Sequence, residues 1–184
     1  TACSSPTRSR PAAPTRSAEW NRGAYLAEGL GHCSACHSPR NLAAAEKTDP
    51  ENYLSGGIAD GWYAPALNHG NPAPVAWDRQ QLVSYFRRGY SAQHGVAAGP
   101  MAPVIAHGLS QQSDKDLQAL AYWLSSFQRD SDTRPETLTA QAEQRSLLLN
   151  SAGARQYSGS CMACHSGNKG PLLAGVRPAL VLNS

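Results

Sequence analysis

Two groups of residues have types and a spacing that could do chemistry. Each is a pair of cysteines separated by two residues and followed at once by a histidine: Cys33, Cys36 and His37 in one, and Cys161, Cys164 and His165 in the other. Two thiols at this spacing can form thioether bonds to the vinyl groups on one edge of a haem, and the adjacent imidazole then lies near an axial position of the iron. The sequence therefore predicts two covalently bound haem c groups, with His37 and His165 as iron ligands.

Closely spaced cysteines also occur in three other kinds of site. A structural zinc site commonly uses two close pairs of ligands, but Cys161 lies 128 residues after Cys33. A thioredoxin-like redox pair would follow a strand, and no strand pattern precedes either motif. A disulfide across two residues closes a loop too short to remove much chain entropy. The spacing therefore favours haem at both motifs.

One of the two methionines is a candidate for the sixth ligand of the first haem. Met101 lies 64 residues after His37, in a loop predicted over residues 99–103 between two helical segments. Paired histidine and methionine ligands raise the reduction potential of the iron. His94 and His107 flank Met101 and are the alternative ligands. The remaining alternative is that Met101 only packs in the core.

The second motif has no evident sixth ligand. Only 19 residues follow His165, and Met162 lies between the two cysteines, where it faces the wrong way to bind the same iron. A backbone carbonyl of residues 170–172 is a candidate partner for the other nitrogen of the His165 imidazole. Truncation of the chain is the preferred explanation for the missing ligand. A five-coordinate iron, an earlier histidine or a ligand from another subunit are the alternatives.

Helices are expected to position the first motif. Trp20, Ala24 and Ala27 recur at helical spacing and predict a helix over residues 19–30 that runs into Cys33. A second helix is predicted over residues 78–88 and a third after residue 113. The second presents Leu82, Val83 and Phe86 on one face and ends at Gly89, and the third follows a capping box of Ser113 and Asp116 and repeats apolar residues at 117, 120, 121, 124 and 127.

The rest of the chain has fewer regular patterns. Residues 38–75 are rich in Pro, Gly, Asn and Ala and are predicted to form ordered loops, with Trp62 and Tyr63 as buried anchors. Residues 1–18 are predicted to be a disordered tail or linker. We place one domain at residues 19–130 and a second, incomplete domain at residues 131–184, because a polar, proline-containing stretch separates the two motifs.

Composition excludes some classes of function. The net charge is +3, and part of it comes from arginines in the tail, so no nucleic-acid site is indicated. No apolar run approaches the roughly 18 residues that a membrane-spanning helix needs. Cys3 is a candidate for lipidation, which would attach the chain to a membrane, and the alternative is an exposed thiol in the tail.

Three runs of sequence resemble a known family. Residues 19–41, 60–67 and 99–104 are similar to the second of three successive cytochrome c domains in the cytochrome subunits of membrane-associated bacterial dehydrogenases, which act on alcohol, gluconate, aldehyde and related substrates. Residues 153–184 resemble the start of the third domain. The resemblance implies a mainly α fold of two class I cytochrome c-like domains in tandem, the second incomplete. It also implies that Met101 is the axial ligand of the first haem.

The resemblance implies electron transfer rather than catalysis. The chain is expected to relay electrons from the catalytic subunit of a periplasmic dehydrogenase to a quinone, an oxidase or another cytochrome. Its expected location is the periplasm, at the periplasmic face of the inner membrane if Cys3 is lipidated or if segments absent from this chain provide an anchor. The alternatives are a dihaem peroxidase-like enzyme, in which one haem has an open axial position, and a haem-based gas sensor.

Replacement of Met101 by alanine tests the ligand assignment. We expect Met101→Ala to remove the weak long-wavelength absorbance band of methionine-ligated ferric haem and to lower the reduction potential of the first haem, because histidine and methionine together raise that potential. A redox titration followed by absorbance measures both changes, with His107→Ala as the control. A band that survives unchanged would show that Met101 is not the ligand.

Overall fold

The structure is a computed structural model that describes residues 13–129, 134–165 and 180 of the chain. Cys3, the carbonyl candidates at 170–172 and most of the predicted boundary between the domains lie outside these residues. The described part is mainly helical, as predicted. Its helices are α1 (Ala18–Tyr25), α2 (Cys33–His37), α3 (Arg79–Arg88), α4 (Met101–His107), α5 (Asp114–Ser125), α6 (Pro135–Leu148), α7 (Ala152–Gln156) and α8 (Met162–His165).

The helix before the first motif forms as predicted and continues as a wider turn. The side chain of Ser17 accepts a hydrogen bond from the backbone N–H of Trp20 and so caps α1. A π-helical turn, Leu26–Leu30, follows α1 directly. His32 then adopts the left-handed conformation (φ 47°) immediately before α2 begins. The chain therefore changes direction at His32, and Cys33 starts a separate short helix.

The core of the described region lies where α1 crosses α5. Gly23 is at the closest point: a Cβ atom at this position would lie 2.1 Å from the carbonyl oxygen of Ala119 and 2.6 Å from Cβ of Trp123. Trp20 donates a hydrogen bond from Nε1 to Oγ of Ser126 across the same interface, at 3.0 Å. The largest buried apolar side chains packed around this crossing are those of Trp20, Leu26, Leu54, Leu82, Phe86, Leu117, Leu120, Trp123 and Leu124.

The other two predicted helices begin where expected, and α3 also ends at the expected residue. Asp78 caps α3 by accepting a hydrogen bond from the N–H of Gln81, and Gly89 ends it in the left-handed conformation (φ 68°). Ser113 caps α5 by accepting from the N–H of Asp116 at 3.1 Å. Local sequence therefore determines these boundaries, because each depends on one side chain or one glycine.

Residues 38–75 contain a hairpin that the composition did not predict. Strand β1 (Gly57–Ala59) pairs antiparallel with β2 (Trp62–Ala64), and the turn between them is Asp60-Gly61, with φ 49° and 76°. Two positive φ values are typical of a two-residue hairpin turn, for which Asp-Gly is a strong sequence signal. A second short hairpin joins β3 (Tyr90–Ser91) to β4 (Gly95–Val96).

The prediction that Trp62 and Tyr63 are buried anchors is wrong. Their side chains are 54% and 64% exposed. Successive residues of a strand face opposite sides, so the two rings cannot share one core. The ribbon has only two strands, and in the described part of the chain neither of its faces is fully covered.

The prediction of a loop at Met101 is also wrong. Met101 is the first residue of α4, and Pro103 lies in the first turn of that helix. A proline is tolerated there because the N–H groups of the first turn have no partner within the helix.

His94 is buried in an apolar environment. Its side chain is 5% exposed and stacks on Trp77, with ring centroids 3.7 Å apart. Neither ring nitrogen has a hydrogen-bond partner among the described residues. Burial lowers the pKa of His94 to about 4, although the negative charge of Asp78 opposes this effect. His94 is therefore neutral at neutral pH.

The second motif also follows a helix. Ser151 caps α7 by accepting a hydrogen bond from the N–H of Ala154, and a π-helical turn, Tyr157–Cys161, joins α7 to α8. Leu138 of α6 packs against buried Val75, which lies in the loop region before α3. In the described segments, no helix combines the length and the apolar content needed to cross a membrane.

Replacement of Gly23 tests the importance of the helix crossing. We expect Gly23→Ala to lower the free energy of unfolding by roughly 1–3 kcal/mol, because the added methyl group must push α1 away from α5. Denaturant unfolding measures this change. Gly29→Ala is the control, since its methyl group would meet nothing within 4 Å. Equal stability of the two variants would contradict the crossing.

Acidification should destabilise the fold through His94. Its pKa is about 4 in the folded chain and 6.5 when unperturbed. As the pH falls, the unfolded state therefore binds the proton first. The free energy of unfolding decreases from about pH 6.5 down to the folded pKa of about 4. Between about pH 7 and pH 5 the loss due to His94 is about 2 kcal/mol. We expect His94→Phe to remove this part of the pH dependence in denaturant titrations, whereas exposed His69→Phe keeps it. Identical slopes for His94→Phe and the wild-type protein would refute the assignment.

Candidate haem attachment site

The first motif forms a one-turn helix that presents two free thiols. The side chain of Cys33 is half-buried and that of Cys36 is exposed. Burial raises the pKa of the Cys33 thiol to about 11, so it is protonated at neutral pH. Gly31, which follows the π-helical turn, lies close to Cys33: a Cβ atom at Gly31 would lie 3.4 Å from the Sγ atom of Cys33. Both thiols are thus available for thioether bonds.

The imidazole of His37 is oriented by a backbone carbonyl. Its Nδ1 atom lies 2.7 Å from the carbonyl oxygen of Pro65. A carbonyl oxygen can only accept, so Nδ1 carries the hydrogen and Nε2 keeps its lone pair. Burial lowers the pKa of His37, and the hydrogen bond to Pro65 partly opposes this. The residue is therefore a neutral imidazole with one nitrogen free to bind a metal.

Backbone contacts hold the segment after the motif close to it. The N–H of Gly56 donates to the carbonyl of His37 at 2.8 Å. A Cβ atom at Gly57 would lie 2.4 Å from the carbonyl oxygen of Cys36 and 2.7 Å from that of Ser38. Only glycine permits this approach, so β1 begins in direct contact with the motif.

The same hairpin also reaches the segment that contains Met101. A Cβ atom at Gly99 would lie 2.5–2.8 Å from three atoms of the Trp62 indole, and Gly99 has a positive φ of 52°. Met101 itself is half-buried at the start of α4. The hairpin β1–β2 therefore contacts Cys36 at one end and the residues before Met101 at the other.

The alternative ligands lie in different environments. His94 is buried against Trp77, and His107 is exposed at the last residue of α4. The assignment of Met101, rather than His94 or His107, to the iron stays a prediction. In the described part of the chain, no three His, Cys, Asp or Glu side chains form a group that could hold a metal ion.

The surroundings of the first motif fit a haem. A haem needs thiols for attachment, an imidazole nitrogen for the iron and apolar surface against its ring. The motif supplies the first two, as described above. Large apolar side chains that the polypeptide leaves exposed lie on the hairpin and on both sides of Met101: Ile58 (69%), Trp62 (54%), Tyr63 (64%), Val96 (64%) and Val104 (48%).

The second motif has a similar local structure. Cys161 is half-buried, Cys164 is exposed, and both are free thiols. The phenolic oxygen of Tyr157 lies 3.4 Å from the carbonyl oxygen of His165. Met162 is the first residue of α8. The described residues thus contain an attachment motif on a helix, and the carbonyl candidates at residues 170–172 lie outside them.

Two site residues were not recognised from the sequence. The carbonyl of Pro65 orients His37. A backbone carbonyl with this role was predicted only for His165, at residues 170–172. The signal that could have identified Pro65 is the resemblance between Pro65-Ala66-Leu67 and Pro171-Leu172, each of which follows its motif. Gly57 was missed because nothing in the sequence shows that it lies against Cys36.

Comparison with known proteins identifies relatives of this chain. No family model matches it. It is 46% identical over 171 residues to one subunit of the nicotinate dehydrogenase of Pseudomonas putida, and the match covers 93% of this chain and 14% of that protein. It is 32% identical over 187 residues to the fructose dehydrogenase cytochrome subunit of Gluconobacter japonicus, covering 92% and 38%. It is 37% identical over 156 residues to the gluconate 2-dehydrogenase cytochrome c subunit of Pantoea cypripedii, covering 78% and 35%.

These matches confirm the resemblance stated in the sequence analysis. The chain spans between 14% and 38% of the length of these three relatives, so it corresponds to part of each. Two of the three are named as the cytochrome subunits of dehydrogenases, and the aligned region includes most of this chain. The chain is therefore homologous, over most of its own length, to part of the cytochrome c subunits of bacterial dehydrogenases.

Proposed function

We propose that this chain transfers electrons through two covalently bound haem c groups. The observation that carries the proposal is the arrangement at the first motif, where Cys33 and Cys36 are free thiols and His37 has Nδ1 engaged by Pro65 and Nε2 free. Neutral imidazole with a fixed tautomer is the form that binds iron. Two of the relatives are named as cytochrome subunits of dehydrogenases, which supports the same conclusion.

Each residue of the first site has a separate role. Cys33 and Cys36 would form the thioether bonds, and His37 and Met101 would bind the iron. Bound haem supplies a one-electron couple between ferric and ferrous iron, and the protein sets its potential through the axial ligands and burial. The hairpin β1–β2 would help to exclude water, because it approaches Cys36 at Gly57 and Gly99 at Trp62.

The second site is proposed from its motif and local structure. Cys161 and Cys164 would attach the second haem, and His165 would be its proximal ligand. A π-helical turn leads into the motif here, as one precedes the first motif. This repetition supports two class I cytochrome c-like domains in tandem, over residues 19–130 and 131–184.

The partners follow from the family. We propose that the electron donor is the catalytic subunit of a dehydrogenase and that the acceptor is a quinone, an oxidase or another cytochrome. The names of the relatives support a dehydrogenase partner. We propose a periplasmic location, since covalent attachment of haem c is typical of extracytoplasmic cytochromes, and membrane attachment through Cys3 is part of this proposal.

Mass measurement of the denatured protein tests haem attachment. We expect the full chain, expressed in a bacterium that attaches haem c and washed free of loose pigment, to retain the mass of two haems. The double variant Cys33→Ala/Cys36→Ala should lose one haem and Cys161→Ala/Cys164→Ala the other, because each pair forms its own thioether bonds. Cys3→Ala is the matched control and should retain both.

A second measurement separates a relay from an enzyme. With peroxide and a reduced donor, an electron relay should show oxidation and reduction of its haems without sustained turnover of peroxide. In the peroxide assay, sustained turnover would replace the electron relay with the peroxidase-like alternative.

In the mass measurement, wild-type protein without covalently retained porphyrin would refute the proposal of two bound haems.

A further inference from the structure

The carbonyl that orients His37 belongs to a segment held by side-chain amides. We propose that Asn68 and Asn71 are positioning residues, which fix the Pro65 carbonyl against His37 and thereby tune the reduction potential of the first haem. This inference rests on the proposed function. Residues 65–73 form no helix or strand, so ladder hydrogen bonds do not hold Pro65 in place.

Asn71 closes the segment on itself. Its side chain is buried, Nδ2 donates to the carbonyl of Ala66, and Oδ1 accepts from the N–H of Ala73 at 2.9 Å. This carbonyl belongs to the Ala66–Leu67 peptide unit, which directly follows the unit that carries the Pro65 carbonyl. A buried amide that loses a partner costs free energy, and Asn71 therefore favours one conformation of the segment.

Asn68 ties the segment to the chain before β1. Its side chain is also buried, with Nδ2 donating to the carbonyl of Tyr53 at 2.9 Å and Oδ1 accepting from the N–H of Gly70 at 2.9 Å. Its own carbonyl accepts from the N–H of Asn71 at 2.9 Å. A backbone hydrogen bond thus joins the two asparagines, and their side chains stabilise the same turn.

These contacts lead back to the motif. The N–H of Leu67 donates to the carbonyl of Leu54 at 2.8 Å. The N–H of Leu54 in turn donates to Oγ of Ser38, which is 2% exposed and directly follows His37. Three hydrogen bonds and the covalent chain therefore form a closed ring. It runs through His37, Pro65, Leu67, Leu54 and Ser38.

Two side chains that follow α5 also hold the segment by hydrogen bonds. Gln128 donates from Nε2 to the carbonyl of Leu67 at 2.7 Å, and Arg129 donates from its guanidinium to the carbonyl of Ala73. Each carbonyl belongs to the segment that Asn68 and Asn71 order. The position of Pro65 is therefore determined by side chains from three parts of the chain.

The expected effect on the iron has a definite sign. A hydrogen bond from Nδ1 of His37 to Pro65 increases the basicity of the imidazole as a ligand. A more basic ligand favours ferric over ferrous iron and lowers the potential. Loosening of the segment weakens this hydrogen bond, so the reduced form of the first haem becomes more favourable.

A redox titration of the full chain tests the role of Asn71. In the background Cys161→Ala/Cys164→Ala, only the first haem titrates. We expect Asn71→Leu, which removes both hydrogen bonds and keeps the branch at Cγ, to increase the ratio of reduced to oxidised haem at a fixed poise about three- to tenfold, where tenfold corresponds to 59 mV for a one-electron couple. Asn68→Ala should change the ratio in the same direction.

Two controls separate positioning from stability. Asn41→Leu removes comparable bonds, from Oδ1 to the N–H groups of Ala43 and Ala45, in an exposed turn, and should leave the ratio unchanged. Ser126→Ala removes the hydrogen bond to Trp20 in the helix crossing, and should lower Tm without changing the ratio. Where Asn71→Leu does not fold, Asn71→Ser takes its place, because its hydroxyl can still accept from Ala73 but is too short to reach Ala66.

The outcomes distinguish the two proposals. Haem bound normally in Asn71→Leu or Asn71→Ser and Asn68→Ala, with ratios equal to that of the background protein, would overturn the positioning role and leave the proposed function intact. A shift of the same size in Ser126→Ala would also overturn it, since general destabilisation would then explain the effect. Absence of covalent haem from the wild-type chain would overturn the proposed function and this inference together.

Discussion

The hydrogen bond between Nδ1 of His37 and the carbonyl of Pro65 is the interaction on which the site depends. It selects the tautomer in which Nε2 has a lone pair, and it does so in a half-buried position where burial already lowers the pKa of the imidazole. A histidine without this partner could exchange tautomers and rotate. The motif supplies the ligand, and a residue 28 positions later determines its orientation.

Much of the surrounding structure brings Pro65 to His37. The chain after the motif has few regular elements, so its path is determined by individual hydrogen bonds and by close approaches at glycine. Gly57 permits contact with the carbonyl of Cys36, and Gly99 permits contact with the ring of Trp62. The core at the crossing of α1 and α5 supports this irregular region, because Gln128, three residues after the end of α5, donates a hydrogen bond to the carbonyl of Leu67.

The helices were predicted well because their signals are local. Residue type and spacing indicated the start of α3 at Asp78, its end at Gly89 and the cap of α5 at Ser113. The structure shows the corresponding hydrogen bonds. The cap of α1 at Ser17 was not predicted. The irregular region was predicted poorly. Trp62 and Tyr63 were expected to be buried because they are aromatic, although the Asp60-Gly61 turn places them on a two-stranded ribbon with exposed faces.

The sequence by itself determined the attachment motifs, the helical class of the fold and the family, because each is a matter of residue identity and short spacing. Only the tertiary structure decided which carbonyl faces His37, that Met101 begins a helix, and that Asn68 and Asn71 lie behind Pro65. Those contacts join residues that are far apart in sequence, and no local pattern specifies them. They arise when the packing of α1 against α5 leaves one path for the chain between the motif and α3, and buried amides then satisfy the backbone along that path.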